Sequence, residues 1–413
     1  MRTQKNWVAV FIFLNIVFCG LARNAFAGGF ALYEGSVRAN GLDGCLIGKA
    51  DDPSAIFFNP AGITQLDGTQ ISLGGTIVTP MTHVRTESWS GRTQDSHLKR
   101  NYFMPPYAYV TYKQSERLWL GLGFFAPFGL GTEFDEGWAG RHNSYNAFVR
   151  VVTLNPNAAF KVTDRLSVSG GVNLSRLDLK LESRAPLFEA DIAMKGNGMG
   201  VGYNLGVHYK LLDWIKLGLS YRSKIHINLN GRANYISSPN MQRLFLNGHI
   251  DSTVTLPDML MLGVNFQALK NLSVELSTIR TGWSNFDQMS IQFHNPVAGM
   301  KRVTKAKNWN DVWRWQIGFE YNAAAWLDLR AGYVYDNGPT PRTTTDYLVP
   351  ANDRQMFCFG TGFKWKAWTL DLSYSYLVSR NRTVTARPID GVLKGKLYDG
   401  ETHLYGLGIG YKF

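Results

Sequence analysis

Residues able to do covalent chemistry are present, but they are not arranged for it. His142 stands two residues before Ser144, and serine catalysis needs an imidazole oriented on the hydroxyl. No G-x-S-x-G elbow accompanies them, and nearness in sequence does not supply that geometry. Gly196, Gly198, Gly200 and Gly202 follow one another as in a phosphate loop, but without the lysine and the strand-to-helix setting that hold phosphate. A glycine-rich loop entering a strand is the simpler reading. Cys45 and Cys358 lie far apart, with neither C-x-x-C nor Cys/His spacing, so no disulfide framework, metal or other cofactor is expected. The side chains point to a protein that binds and does not react.

The start of the chain sets the compartment. Arg2 and Lys5 precede the apolar run 7–22, and Ala25-Phe26-Ala27 follows in A-x-A form. This is the pattern of a secretory signal peptide over 1–27, and the run is short for a transmembrane helix. A lipoprotein site at Cys19 is disfavoured by Phe18, where a small residue is usual. Cleavage removes Arg2, Lys5 and Arg23 but no carboxylate, so the formal charge falls from +12 to +9 (12 − 3). A basic exported chain meets anionic lipid, lipopolysaccharide or acidic ligands, and nucleic acid is excluded by compartment.

The elements that position any binding residue are read from alternation. Ile215, Leu217, Leu219 and Tyr221, then Ile225, Ile227 and Leu229, fall on one face, opposite Lys216, Ser220, Arg222, Lys224, His226 and Asn228. Trp313 to Tyr321 and Leu370 to Tyr376 repeat the pattern. A two-residue period is a strand, with one face for lipid and one for a polar lumen. Aromatics make up 13% of the chain, enough for the girdles of a membrane barrel. A soluble β-sandwich is the competing fold. Against it, six tight turns (113–117, 161–165, 210–214, 268–271, 322–326 and 364–368) alternate with seven long polar stretches (80–100, 129–144, 184–199, 232–252, 285–309, 337–353 and 382–395). That arrangement requires fourteen strands and matches outer-membrane barrels, which have short periplasmic turns and long outer loops. The last strand alternates Tyr405, Leu407, Ile409, Tyr411 to a terminal Phe413, a closing strand of the kind the barrel-assembly machinery handles. The expectation is an all-β transmembrane antiparallel barrel over 69–413, as a monomer in a bacterial outer membrane.

Residues 28–68 break the ladder, being too apolar for a solvated tail and too irregular for a strand. A plug inside the lumen accounts for both properties, because irregular backbone is tolerated at membrane depth only when protein or water surrounds it. A periplasmic arm is the alternative.

Gly29-Phe30, Asp51-Asp52 with Asn59-Pro60-Ala61, Gly129-Leu130-Gly131-Thr132-Glu133-Phe134, Tyr221-Arg222-Ser223, Leu256-Pro257, Trp283-Ser284-x-Phe286, and Pro350 with Asp353-Arg354 occur in this order over nearly the whole exported chain. Together they resemble the FadL family of outer-membrane long-chain fatty-acid transporters, which includes the TodX-type transporters of aromatic hydrocarbons. The resemblance implies a hatch over 28–68 and passive transport of a hydrophobic molecule that leaves sideways through the wall. It also implies that Phe30 reaches the ligand cavity and that Asn59-Pro60-Ala61 lies near a wall break.

Pro127 cannot donate to a neighbouring strand, and Gly129 tolerates a kink, so Ala126, Pro127 and Gly129 mark either a lateral gate or simply the outer end of a strand. Leu187, Phe188, Ile192 and Met194, and Met241, Leu244, Phe245 and Leu246, place apolar groups in long loops. Such clusters contact something, here either one another or a captured ligand in the groove that the resemblance implies. A fatty-acid carboxylate needs a cation. Lys180 and Arg184 match the family's binding lysine and, one residue offset, its arginine. Asn310 stands where another lysine is expected, with Lys305 or Lys307 as substitutes. A general porin and a structural surface protein are the rival functions.

Overall fold

The computed structural model describes residues 29–186, 190–241 and 243–413; the expected leader 1–27 lies outside them. Twenty strands form one antiparallel sheet. In chain order they are β1 (Thr69–Glu87), β2 (Thr93–His97), β3 (Pro106–Lys113), β4 (Leu118–Glu133), β5 (Asn146–Lys161), β6 (Leu166–Arg184) and β7 (Asp191–Leu212). Then come β8 (Ile215–Arg222), β9 (Ile225–Ile236), β10 (Gly248–Leu256), β11 (Met259–Leu269), β12 (Leu272–Thr281), β13 (Gln288–Val297) and β14 (Met300–Ala306). The last six are β15 (Val312–Ala324), β16 (Leu327–Asp336), β17 (Arg354–Trp365), β18 (Trp368–Ser379), β19 (Arg382–Val384) and β20 (Lys394–Lys412).

Four wall crossings are interrupted pairs (β8/β9, β10/β11, β12/β13 and β14/β15), and β2 and β19 are short flaps on β1 and β20. The wall therefore has fourteen strands (20 − 4 − 2). It closes where β20 pairs with β1, from Gln70↔Lys412 to Glu87↔Lys394. Closure pairs the first and last wall strands with each other, so that neither is a free edge that hydrocarbon would penalise.

Which face is apolar changes along the strands. On β7, from Leu211 to Met199, exposed Leu211, Leu205, Tyr203, Val201 and Met199 point outward. That span is twelve residue-to-residue steps (211 − 199), about 30 Å of height at a tilt of ~40°. Trp214, Trp326, Trp365 and Trp368 are exposed beside the short turns, as an interfacial girdle requires. Toward the long loops the pattern inverts. On β6, Ser167, Asn173 and Ser175 are buried on the inner side with Val168, Val172 and Leu174 outside; farther along, Leu177 and Leu181 are buried and Arg176 is outside.

The inversion corrects the expectation that Ile225, Ile227 and Leu229 share a face with Ile215 to Tyr221. The break at Ser223-Lys224 steps the register, so Arg222 and Ile225 both face inward, and His226 and Asn228 are exposed. It also explains why parts of 129–144, 184–199, 232–252 and 285–309, read as polar loops, are strand. The wall rises past the lipid, and there the outward face must be polar.

Residues 29–68 lie inside the ring. Ser36 caps the helical turn Val37–Asn40 by accepting from the Ala39 N–H at 3.1 Å. Asn59 opens the 3₁₀ turn Pro60–Gln65. Glu275 of β12 accepts three successive backbone N–H groups, from Ile47 (2.6 Å), Gly48 (2.9 Å) and Lys49 (2.8 Å). Arg38 pairs with Glu320 at 3.0 Å and Arg314 with Asp43 at 2.8 Å. Gly218 is required where the segment meets the wall, because a Cβ there would come within 1.9 Å of the Ile47 carbonyl oxygen.

Candidate functional site

At the long-loop end the inverted strands enclose a cavity of about 230 Å³. Leu181, Ile192, Met194, Tyr235, Ile291 and Phe293 line it, and the cluster beneath continues through Met289 and Leu348. On β14 the alternation sends Thr304 and Arg302 outward, to Ser290 (3.0 Å) and Gln292 (3.0 Å). Val303 and Lys305 turn into the cavity.

Lys305 has no hydrogen bond or ion pair to any described residue. Its charged neighbours are Lys307, Asp346, Asp390 and Arg387; Asp390 is paired with Arg387 at 3.0 Å, and Asp346 is also committed. It pairs with buried Lys307 at 2.6 Å and accepts from the Leu348 N–H at 3.2 Å. Burial, then the charge on Lys307, lowers the pKa of Lys305. Burial works against the Asp346 carboxylate, yet Lys307 outweighs it and holds the group below its usual range. One lysine is thus neutralised and the other is an uncompensated cation in an apolar chamber.

The other candidate cations are placed differently. Arg184 is at the rim, with Nε and Nη2 donating to both oxygens of Asp191 at 2.9 and 3.3 Å. Lys180 alternates with Arg176 and Asp178 onto the outer face of β6 and ion-pairs with Glu182 at 2.8 Å, away from the lumen. The reason is parity: Leu177 and Leu181 occupy the inner positions.

Of the expected groove residues, Ile192, Met194 and Phe245 line the cavity, and Met241 packs against its wall. Leu244 and Leu246 point to solvent. Leu187 and Phe188 lie outside the described residues. His142 and Ser144 also border the cavity. His142 Nδ1 donates to the Arg184 carbonyl at 3.1 Å and Ser144 Oγ to the Glu182 carbonyl at 3.5 Å, so separate carbonyls hold them.

Below the cavity sits an aromatic cluster. The Phe30 ring lies 4.6 Å from Trp283, 5.9 Å from Trp309, 6.0 Å from Phe128 and 6.1 Å from Phe286. Gly29 makes this approach possible: its φ is +61°, and a Cβ would come within 2.7 Å of the Trp283 ring. The indole N–H groups of Trp283 and Trp309 are buried without an acceptor among the described residues.

The same N-terminal residues meet a defect in the wall. Between Phe125 and Phe128, β4 has two residues, Ala126 and Pro127, where β5 has one, Val152, between Thr153 and Val151. The extra residue is a bulge, which bends a strand and disrupts its ladder. On the other side, β3 pairs with β4 only as far as Tyr107↔Phe125. The edge thus left open is covered from inside: Leu32 N–H donates to the Pro127 carbonyl at 2.9 Å, and Gly129 N–H donates to the Phe30 carbonyl at 2.9 Å. Ala126 and Pro127 form the bulge and Gly129 packs on Leu32. Asn59 lies elsewhere, donating to the carbonyls of Ile47 (3.1 Å) and Val207 (3.0 Å) on β7, with Pro60 and Ala61 in the turn that follows. The resemblance put it beside the wall break; here residues 30–32 hold that place.

Sequence reasoning missed Trp309, Met289, Ile291 and Phe293. The alternation of the last three was legible, but it lay in 285–309, a stretch read as loop.

The family model described as outer membrane protein transport protein (OMPP1/FadL/TodX) matches residues 18–413. Outer membrane protein P1 of Haemophilus influenzae is 26% identical, covering 95% of this chain and 96% of its own. A long-chain fatty acid transport protein of Escherichia coli K12 is 24% identical with the same coverage. Among solved structures, a Pseudomonas aeruginosa FadL homologue superposes with a TM-score of 0.84 at 19% identity, over 94% of this chain and all of that one. The Pseudomonas putida toluene transporter TodX gives 0.67 at 20% identity, over 87% and 94%. With the fourteen-stranded wall, the matched length establishes that this chain belongs to the OMPP1/FadL/TodX family of outer-membrane transport proteins.

Proposed function

We propose that the protein carries long-chain fatty acids, or amphiphiles like them, passively across the outer membrane. The carrying observation is Lys305, a cation without a partner among the described residues, in a largely apolar cavity whose lining residue Met289 packs in the same cluster as Phe30. A carboxylate on Lys305 leaves the acyl chain among Met289, Ile291 and Phe293. Movement of the chain downward displaces Phe30, and with it the two backbone bonds that cover the bulge at Ala126-Pro127. The ligand then leaves sideways into lipid. Residues 28–68 act as the hatch. The step needs no catalysis and no nucleotide; a downhill gradient and removal of product inside drive it.

Uptake of radiolabelled oleate and toluene in a transporter-deficient host tests this reading. A charge-assisted contact contributes about 1.5–3 kcal/mol, so Lys305→Gln is expected to weaken oleate binding by about tenfold or more and to leave toluene unchanged. If oleate handling survives the substitution, the carboxylate assignment fails and an uncharged aromatic hydrocarbon becomes the better substrate, which the ring cluster around Phe30 also suits.

A further inference from the structure

The outer face of the wall carries a row of cations that transport does not use. Directly paired across three adjacent strands are Lys180↔Lys195 and Lys195↔Arg232, with His249 opposite Arg232 on the next strand. Like charges directly opposite one another destabilise a sheet, so the row is unfavourable unless something anionic covers it. Lys195 and Arg232 are exposed and have no side-chain hydrogen bond or ion pair among the described residues. Two and four residues below Lys180 come Asp178 and Arg176, and Arg150 sits opposite Asp178. Asp178 serves both arginines, at 2.9 and 3.3 Å. Arg150, Arg176, Lys180, Lys195 and Arg232 against Asp178, Glu182 and Asp251, which stands in the same rank as Asp178, leave a local charge of +2 (5 − 3).

Height identifies what covers the patch. Met199, the last large outward apolar residue of β7, is four residues from Lys195 (199 − 195) and directly opposite Arg176. Four residues of tilted strand rise about 10 Å, which sets the row at the headgroup level of the leaflet on the long-loop side. In an outer membrane that leaflet is the external one, and its phosphorylated glycolipid presents paired phosphates there.

We infer that Lys195 and Arg232, flanked by Lys180, Arg150 and Arg176, form a docking surface for the phosphates of outer-leaflet lipopolysaccharide. Acyl chains lie along Met199, Val201 and Leu174, and arginine forks and lysine ammonium groups engage phosphate. The glycolipid also supplies the counter-charge that Lys195 and Arg232 lack among the described residues.

The test uses the full exported chain in a neutral detergent, with bisphosphorylated lipid A as probe, retention read by native mass spectrometry. Wild type is expected to retain the lipid, and Lys195→Gln/Arg232→Gln to bind it at least about tenfold more weakly. Lipid A stripped of both phosphates is expected to bind wild type no better than the variant binds the intact lipid. Inorganic phosphate is not expected to compete; if it displaces the lipid, the surface is a free-phosphate site and the lipid assignment falls. Equal binding by wild type and variant overturns the proposal, as does equal binding of the dephosphorylated lipid. Should the variant fail to assemble, wild type decides alone: retention that does not fall as salt is raised toward ~0.5 M, where screening is strong, is incompatible with an electrostatic site.

Discussion

Two lysines two residues apart on adjoining backbone have opposite fates. Lys307 is buried against Asp346, and breaking such a pair leaves an uncompensated charge, at a cost of about 3–5 kcal/mol. Asp346→Asn is therefore expected to lower the thermal midpoint of the folded protein whatever the substrate, measured by differential scanning calorimetry. Lys305 has no partner among the described residues and a lowered pKa. Carboxylate binding needs its protonated form, so oleate affinity is expected to fall as pH rises, beginning below the ordinary lysine value of about 10.4; a bound carboxylate favours the charged form and raises that pKa. Titration calorimetry across pH 7–10 checks the sign, and an affinity that rises with pH would remove Lys305 from the site. The sequence made both lysines candidates, but it could not say which was neutralised, because Asp346 comes from a segment nearly forty residues on.

At the scale of elements, the β4 bulge is an insertion that one deletion should cancel. Removing Ala126 gives β4 and β5 equal counts between Phe125 and Phe128, so the strand straightens and the carbonyl of Pro127 turns back toward the wall. Residues 30–32 then lose their partners, and limited proteolysis is expected to release them while the barrel stays intact. Most of the wall was legible, since tight turns and two-residue alternation fix strand number and order. What alternation could not reveal was the inversion. A period of two has no sign, so Ile225 and Leu229 look lipid-facing until the break at Ser223-Lys224 is seen to step the register. Met289 and Phe293 were missed because 285–309 reads as loop, and Lys180 became a candidate through the family match, which carries no information on the face it takes.

Taken as a whole, the molecule is a closed wall around an N-terminal segment whose Phe30 belongs to the packed cluster beneath the candidate cavity and whose residues 30–32 cover the wall defect. Glu275 holds the lower part of that segment through three backbone N–H groups. Glu275→Ala leaves those donors unsatisfied, at about 1–3 kcal/mol each if they stay dry, so the segment is expected to loosen and ion conductance in planar bilayers to rise above that of wild type. A variant as tight as wild type would show that other contacts, such as Arg38–Glu320, suffice.

On the proposed route, a ligand bound inside the barrel leaves through the wall at Ala126-Pro127 and not through the floor. The most direct measurement compares equilibrium oleate binding in detergent with oleate uptake in a transporter-deficient host, for wild type and for the Ala126 deletion. The account predicts that the deletion binds oleate as wild type does and transports no more than the empty host. Undiminished uptake by a deletion variant that folds and binds normally would contradict it.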